Sequence, residues 1–235
     1  MEDTGLNLTL TDIKKAIIKS QRCQRNWDLT KEIPEEHLEV LKTSITQAPS
    51  LQNVAFYKIH WITDRETIEK VHACTHGAPY KNNDQGKKVV DPHPREDDHL
   101  HDMGDTTQSQ TLANLVVVFE KYFHEEEYFK DKRVFNTSYG RKVEYGGDDF
   151  DAVTALGIAS GYLNLTASIL GYQTGCCISF QHYKLKEALN LEGHPLLIMG
   201  VGIKDPDLNR RVHHEDHDVI YPSTPRQEIP VVEYK

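Results

Sequence analysis

The chain has 235 residues, 38% hydrophobic and 27% charged, with a formal net charge of -9 at neutral pH. That length buries a full core and suits one large domain, so a single domain over residues 1–235 is expected. The acidic balance repels a phosphate backbone and no Lys/Arg run or interleaved aromatic patch offsets it, which argues against a nucleic-acid partner.

No run of about 18 apolar residues is evident, so a membrane span is not expected. The opening Met1-Glu2-Asp3-Thr4-Gly5 lacks the basic stretch and apolar core of a secretory signal, which predicts a cytoplasmic protein. Four cysteines, Cys23, Cys74, Cys176 and Cys177, show no CxxC spacing. They predict neither a disulfide framework nor a zinc site.

Thr11 is placed to cap a first helix that ends near Gln21, with Ile13, Ala16 and Ile17 on one face. Pro34, followed by Glu35 and Glu36, opens a second helix whose apolar stripe is Leu38, Leu41 and Ile45, stopped by Ala48-Pro49-Ser50. Val54 to Thr63 is β-branched and aromatic and predicts a strand, after which Asp64 caps a short helix. Residues 76–110 are rich in Gly, Pro, Asn, Asp and His and predict a polar lid or surface excursion.

The apolar run Leu112 to Phe119 predicts a strand covered on both faces, with an aromatic helix from about Glu120 to Lys130 behind it. Asp151 to Leu170, closed by Gly171, is apolar almost all round and predicts a buried helix. Within it Gly157 and Gly161 each lose about 1 kcal/mol relative to alanine, so another backbone should approach closely. The chain's own sheet and a helix across a dimer interface are equally compatible partners. Leu196 to Ile203 predicts a second buried strand. Residues 205–235 form an arm punctuated by Pro222, Pro225 and Pro230 that ends in a β-prone segment, Ile229 to Tyr234, suited to pair with a distant sheet edge, including one on a second subunit.

The segment Ser20 to Asp28, then Ala48 to Asn53 ahead of a strand, then the helix with its exit Leu170-Gly-Tyr-Gln-Thr-Gly-Cys-Cys-Ile-Ser-Phe180, and the strand Pro195 to Gly202 together resemble the nitroreductase family of flavoproteins. The resemblance implies an α+β fold, a mixed central sheet flanked by helices, in an intertwined homodimer with C-terminal strand exchange. It also implies FMN as cofactor, NAD(P)H as hydride donor, and ping-pong transfer through flavin N5 to a small acceptor such as a nitroaromatic, quinone or enone. Reductive dehalogenation and flavin fragmentation are alternatives within the fold, and flavin storage without turnover is one outside catalysis.

By the same resemblance, Arg22 and one or both of Arg210 and Arg211 grip the FMN phosphate, and Arg25 faces the pyrimidine end of the ring. Pro49, Ser50 and Asn53 touch the ring, and the backbone of Cys176, Cys177, Ile178 and Ser179 reaches N5. Two positions depart from the family pattern: Gln21 stands where arginine is usual and Cys23 where serine is, which implies an altered grip on the flavin. The histidine clusters around His99 and His213 follow no recognised ligand spacing, and Gly200-Val-Gly202 lacks a third glycine, so neither a metal nor a Rossmann site is predicted.

Overall fold

A computed structural model describes residues 8–50, 53–77, 80–90, 106–122, 149–223 and 225–234. Helix α1 (Leu10–Ser20) begins two residues earlier than expected because Thr9, not Thr11, is its cap: the Thr9 hydroxyl accepts from the Asp12 N–H and the Asp12 carboxylate accepts from the Thr9 N–H, each at 3.2 Å. Ala16 is buried on it, while Ile13 and Ile17 are exposed. Helix α2 (Glu35–Thr46) takes Pro34 as its cap residue and buries Leu41 and Ile45 as its spacing predicts.

Four strands form the main sheet: β1 (Tyr57–Ile62), β4 (Leu115–Lys121), β5 (Gln173–Cys177) and β6 (Pro195–Gly202). Their order is β1-β4-β6-β5, and every neighbouring pair is antiparallel, where a mixed sheet is the expectation. Leu115 to Phe119 is fully buried, as a strand covered on both faces must be. Side-chain alternation divides the core. Leu115, Val117 and Phe119 meet α2 and Ala159, Leu163 and Ala167 of α4 (Asp149–Ile169). Val116 and Val118 meet Ile68 and Val71 of α3 (Arg65–Ala73) and Leu185 of α5 (His182–Leu189).

Several expectations change. β1 starts only at Tyr57, because Asn53, Ala55 and Phe56 adopt φ of 61°, 68° and 62°, a left-handed backbone no strand accommodates. Val54 and Phe56 turn instead into a small cluster with Ala152 and Ala155. Glu120 and Lys121, expected to begin a helix, continue β4 by pairing with Lys58 and Tyr57, so the ladder outlasts the apolar run. Residues 123–130 lie outside the described residues.

Helix α4 is not buried all round. Ala155, Ala159, Leu163 and Ala167 are sunk in the core, but Val153, Ile158 and Tyr162 are exposed, and a Cβ on Gly157 or Gly161 would meet nothing within 4 Å. The two glycines therefore do not serve packing on the chain's own sheet. By length and composition Asp151–Ile169 is apolar enough to cross a membrane, contrary to the expectation from its sequence, yet one face of it is the floor of this core.

The stretch expected to be irregular contributes β2 (Tyr80–Asn82) and β3 (Lys88–Val90), joined by a turn in which Asn83 Oδ1 accepts from Gln85 and Lys87 N–H. β3 pairs in parallel with β7 (Val219–Ile220), tying this insertion to the C-terminal arm. Residues 91–105 lie outside the described residues. The predicted terminal strand does not form within the chain: Ile229, Val231, Val232 and Tyr234 belong to no helix or strand and are 64–94% exposed.

Candidate active site

Room for a site is made by two glycines facing each other across β5 and β6, Gly175 and Gly200. A Cβ on Gly175 would collide with Gln110 Cβ, and one on Gly200 with the Gln110 carbonyl. A short 3-10 turn, Ser109–Leu112, therefore lies directly on the sheet, although its side chains are polar. Gln108, Ser109, Gln110 and Thr111 are all buried and must find partners inside. Ser109 Oγ donates to the Arg25 carbonyl at 2.8 Å, and Gln110 Nε2 donates to the Cys176 carbonyl at 3.2 Å.

The segment after α1 runs along the edge of β5. Cys23 bridges Thr174, and the Gln24 N–H donates to the Thr174 carbonyl at 2.8 Å. Trp27, 1% exposed, anchors the segment through its Nε1 donation to the Ser109 carbonyl. Asn26 Nδ2 donates to the carbonyls of Asn209 and Val212 at 2.7 and 3.0 Å, which fastens the C-terminal arm here.

These ties converge the charged side chains. Arg22, Arg25, Arg210, Arg211 and Arg226 line one cleft of about 680 Å³ together with Tyr221, and no carboxylate lines it among the described residues. Arg25 is fixed by hydrogen bonds to Gln108 and Gln110 and lies 4.0 Å from the Tyr221 ring centroid. Arg210 donates to the Cys23 carbonyl at 3.3 Å, and Arg211 to the Tyr221 carbonyl at 3.4 Å. Burial, and then the charges of Arg22 and Arg211, pull the Arg210 pKa below its ordinary value. Guanidiniums that repel one another without a carboxylate fit an anion such as a phosphate.

Cys176 and Cys177 end β5 rather than lying in a loop, because they pair with Met199 and Ile198. Ile178 and Ser179 follow as loop, with Ile178 74% exposed. Burial pushes the Cys177 thiol up to about 11, so it is neutral at physiological pH and serves as a small apolar side chain. The residues expected around a flavin phosphate, including Gln21 and Cys23, thus share one cleft, and the Cys176 end of β5 adjoins it through Gln110.

Pro49, Ser50 and Asn53 are not brought to it. Ser50 Oγ accepts from the Ala55 N–H at 2.8 Å, and this loop packs beside Ala152 and Ala155. The cleft segment meets the same helix at Asn164, whose Nδ2 donates to the Ser20 carbonyl. The interval from Ala155 to Asn164 is about 14 Å along a helix axis. Gln108, Gln110, Tyr221 and Arg226 were not anticipated. Their only signal is a polar run abutting an apolar strand and an arginine in a proline-rich arm.

His213 is a brace rather than a ligand here: its Nδ1 accepts from the N–H groups of Glu215 and Asp216. The cluster around His99 lies outside the described residues. A larger cavity of about 780 Å³ beside Pro34 and Arg65 contains none of the expected residues and mixes Glu32 and Glu35 with Lys31 and Arg65, so it favours neither sign of charge.

The nitroreductase family profile matches residues 18–203. Similar solved structures include a nitroreductase family protein from Streptococcus pneumoniae (TM-score 0.58, 16% identity, 97% of this chain and 100% of that one). Another is a protein from Staphylococcus epidermidis described as an NAD(P)H:FMN oxidoreductase (TM-score 0.58, 16% identity, 88% and 93%). A third is an FMN-dependent nitroreductase from Clostridium difficile (TM-score 0.51, 15% identity, 83% and 90%). At these identities the likeness is one of fold, and no curated protein matches the sequence. The profile covers the cleft segment, the α4 helix, the paired glycines and the last strand of the main sheet, and on that ground the chain belongs to the nitroreductase family.

Proposed function

We propose that the protein is an FMN-dependent oxidoreductase that moves a hydride from NAD(P)H to a small electron acceptor such as a nitroaromatic, quinone or enone by a ping-pong route. The observation that carries this reading is the arginine cleft at the edge of β5, with no carboxylate lining it among the described residues. FMN supplies a ring nitrogen, N5, that takes up and then releases a hydride. Arg22, Arg210 and Arg211 hold the phosphate. Arg25 steadies negative charge at the pyrimidine edge, and Tyr221, Gln108 and Gln110 hold it in place. Cys177, Ile178 and Ser179 act through backbone N–H groups. Ile178 gives an apolar surface against which a planar substrate excludes water.

The working unit in this reading is a homodimer. Val153, Ile158 and Tyr162 expose an apolar face around Gly157 and Gly161, Ile13 and Ile17 of α1 are also exposed, and so are Ile229, Val231, Val232 and Tyr234 of the tail. A second copy covering these surfaces brings its Pro49, Ser50 and Asn53 to the cleft that one chain leaves without them.

Purified protein should be yellow, keep FMN through desalting and lose its flavin absorbance on anaerobic addition of NAD(P)H. A colourless protein that ignores added FMN would sink the proposal. Flavin retained without NAD(P)H oxidation, across a panel of acceptors, would indicate a binding protein instead.

A further inference from the structure

The cleft carries more positive charge than one phosphate balances. Five guanidiniums line it, and none is ion-paired to a carboxylate among the described residues. A phosphomonoester brings about -1.5 to -2 at neutral pH, and a reduced anionic ring brings one charge more. About two positive charges are left over.

The surplus is not evenly placed. Arg22, Arg25 and Arg211 are the like charges that depress Arg210, so these four form one group. Arg226 is not among them and reaches the cleft from a separate segment, in which Pro222 and Pro225 restrict the backbone. It is exposed, and the exposed Ser223 hydroxyl lines the cleft with it.

We infer that Arg226 and Ser223 form a second phosphate subsite, which takes a phosphate of the nicotinamide donor while the Arg210 group holds that of FMN. This rests on the oxidoreductase reading above. The donor must lie beside the flavin to pass its hydride, so its own phosphates fall near the flavin's phosphate cleft. Two of its groups carry the required chemistry: the pyrophosphate common to NADH and NADPH, and the 2′-phosphate present only in NADPH.

The test uses FMN-loaded protein and the R226A variant, titrated calorimetrically with adenosine 2′,5′-bisphosphate and separately with ADP. FMN affinity is measured on both proteins. The expected result is that R226A weakens one probe by about tenfold or more, the size of one charge-assisted contact, while FMN affinity stays near that of the parent. Loss confined to the 2′,5′-bisphosphate identifies the 2′-phosphate, and the ratio of kcat/KM for NADPH over NADH then falls with it. Loss of ADP affinity identifies the pyrophosphate, and both donors then suffer alike. Unchanged affinity for both probes overturns the inference, as does FMN affinity falling as steeply as the probes', which would place Arg226 in the flavin's own phosphate grip. Parent protein that binds FMN but neither probe also overturns it, whereas parent protein that takes up no FMN defeats the broader reading instead.

Discussion

The guanidinium of Arg25 lies 4.0 Å from the centroid of the Tyr221 ring, whose hydroxyl donates to the Thr107 carbonyl at 2.6 Å. The ring thereby holds one charge of the arginine cleft in one orientation. A cation over an aromatic face contributes about 0.5–2 kcal/mol. Tyr221→Leu should therefore raise the FMN dissociation constant by about 2- to 30-fold, whereas Tyr221→Phe, which keeps the ring, should cost less. Fluorescence-quenching titration with FMN measures both. Equal losses would assign the effect to the hydroxyl rather than the ring.

Gly200 faces the Gln110 carbonyl, with Ala113 Cβ only 2.9 Å from where its own Cβ would stand. Gly200→Ala overpacks that contact between sheet and 3-10 turn and should cost about 1–3 kcal/mol in urea denaturation. The displaced Gln110 should also lower FMN content in the folded fraction. An unchanged midpoint would show that the turn is free to shift.

On α4, side chains at Gly157 and Gly161 enter open space in the single chain. Replacing both by leucine should leave the monomer's fold intact, with a gain in helix propensity of up to about 1 kcal/mol per site. It should, however, prevent a second copy from lying against that face, shifting sedimentation from dimer to monomer. A double variant that stays dimeric would exclude this face from the interface.

Acid should unfold the protein in two stages. Burial, then the charge of His213, pulls His72 down to about 4, and burial pulls His213 to about 4 as well. His72 is 3.7 Å from Glu215 through Nε2, which has no hydrogen-bond partner among the described residues, and its Nδ1 meets Thr111 Oγ1 at 2.9 Å. Because the folded values lie below the ordinary 6.5, the unfolded chain takes protons first as pH falls. The stability these rings contribute is whole above about pH 6.5 and is lost as the pH drops toward 4.

Glu120 supplies the second stage. Burial would raise its carboxyl, but the Gly193 N–H, His60 at 2.6 Å and Lys58 outweigh that and hold it below the usual range. Its contribution is present above the ordinary carboxylate value and disappears as pH falls through the lowered one. Urea midpoints between pH 3 and 8 should show both limbs, with His72→Asn flattening the upper one. A profile unchanged by His72→Asn would remove His72 from the account.

Local chemistry made much of the fold legible. Pro34 with Glu35 and Glu36 and Asp64 ahead of its helix each carry their own boundary signal, and the apolar runs from Leu112 and Leu196 mark the two central strands though not their ends. What was illegible depends on distant partners. Gln108 to Thr111 looks like surface until Gly175 and Gly200 open a space for it. The three-residue strand at Lys88 is placed between Tyr80–Asn82 on one side and the distant Val219 on the other. Helix α4 is apolar all round, so its sequence does not tell which face the sheet covers. The left-handed backbone at Ala55 and Phe56 has no compositional mark, since neither is a glycine. In the cleft, Arg22, Arg25, Arg210 and Arg211 sit in recognisable motifs, while Tyr221 and Arg226 belong to an arm whose place is set by Asn26 holding Asn209 and Val212.

That anchoring has a consequence for synthesis on the ribosome. The cleft is lined from two distant segments, Gln21 to Arg25 and Arg210 to Arg226, and β7 must find β3 before the arm is clamped at both ends. Contacts of such sequence separation form late, since loop closure precedes their stabilisation. A nascent chain that has not yet released Arg210 to Arg226 lacks three of the five arginines that line the cleft, so the charge of the cleft is completed late in synthesis.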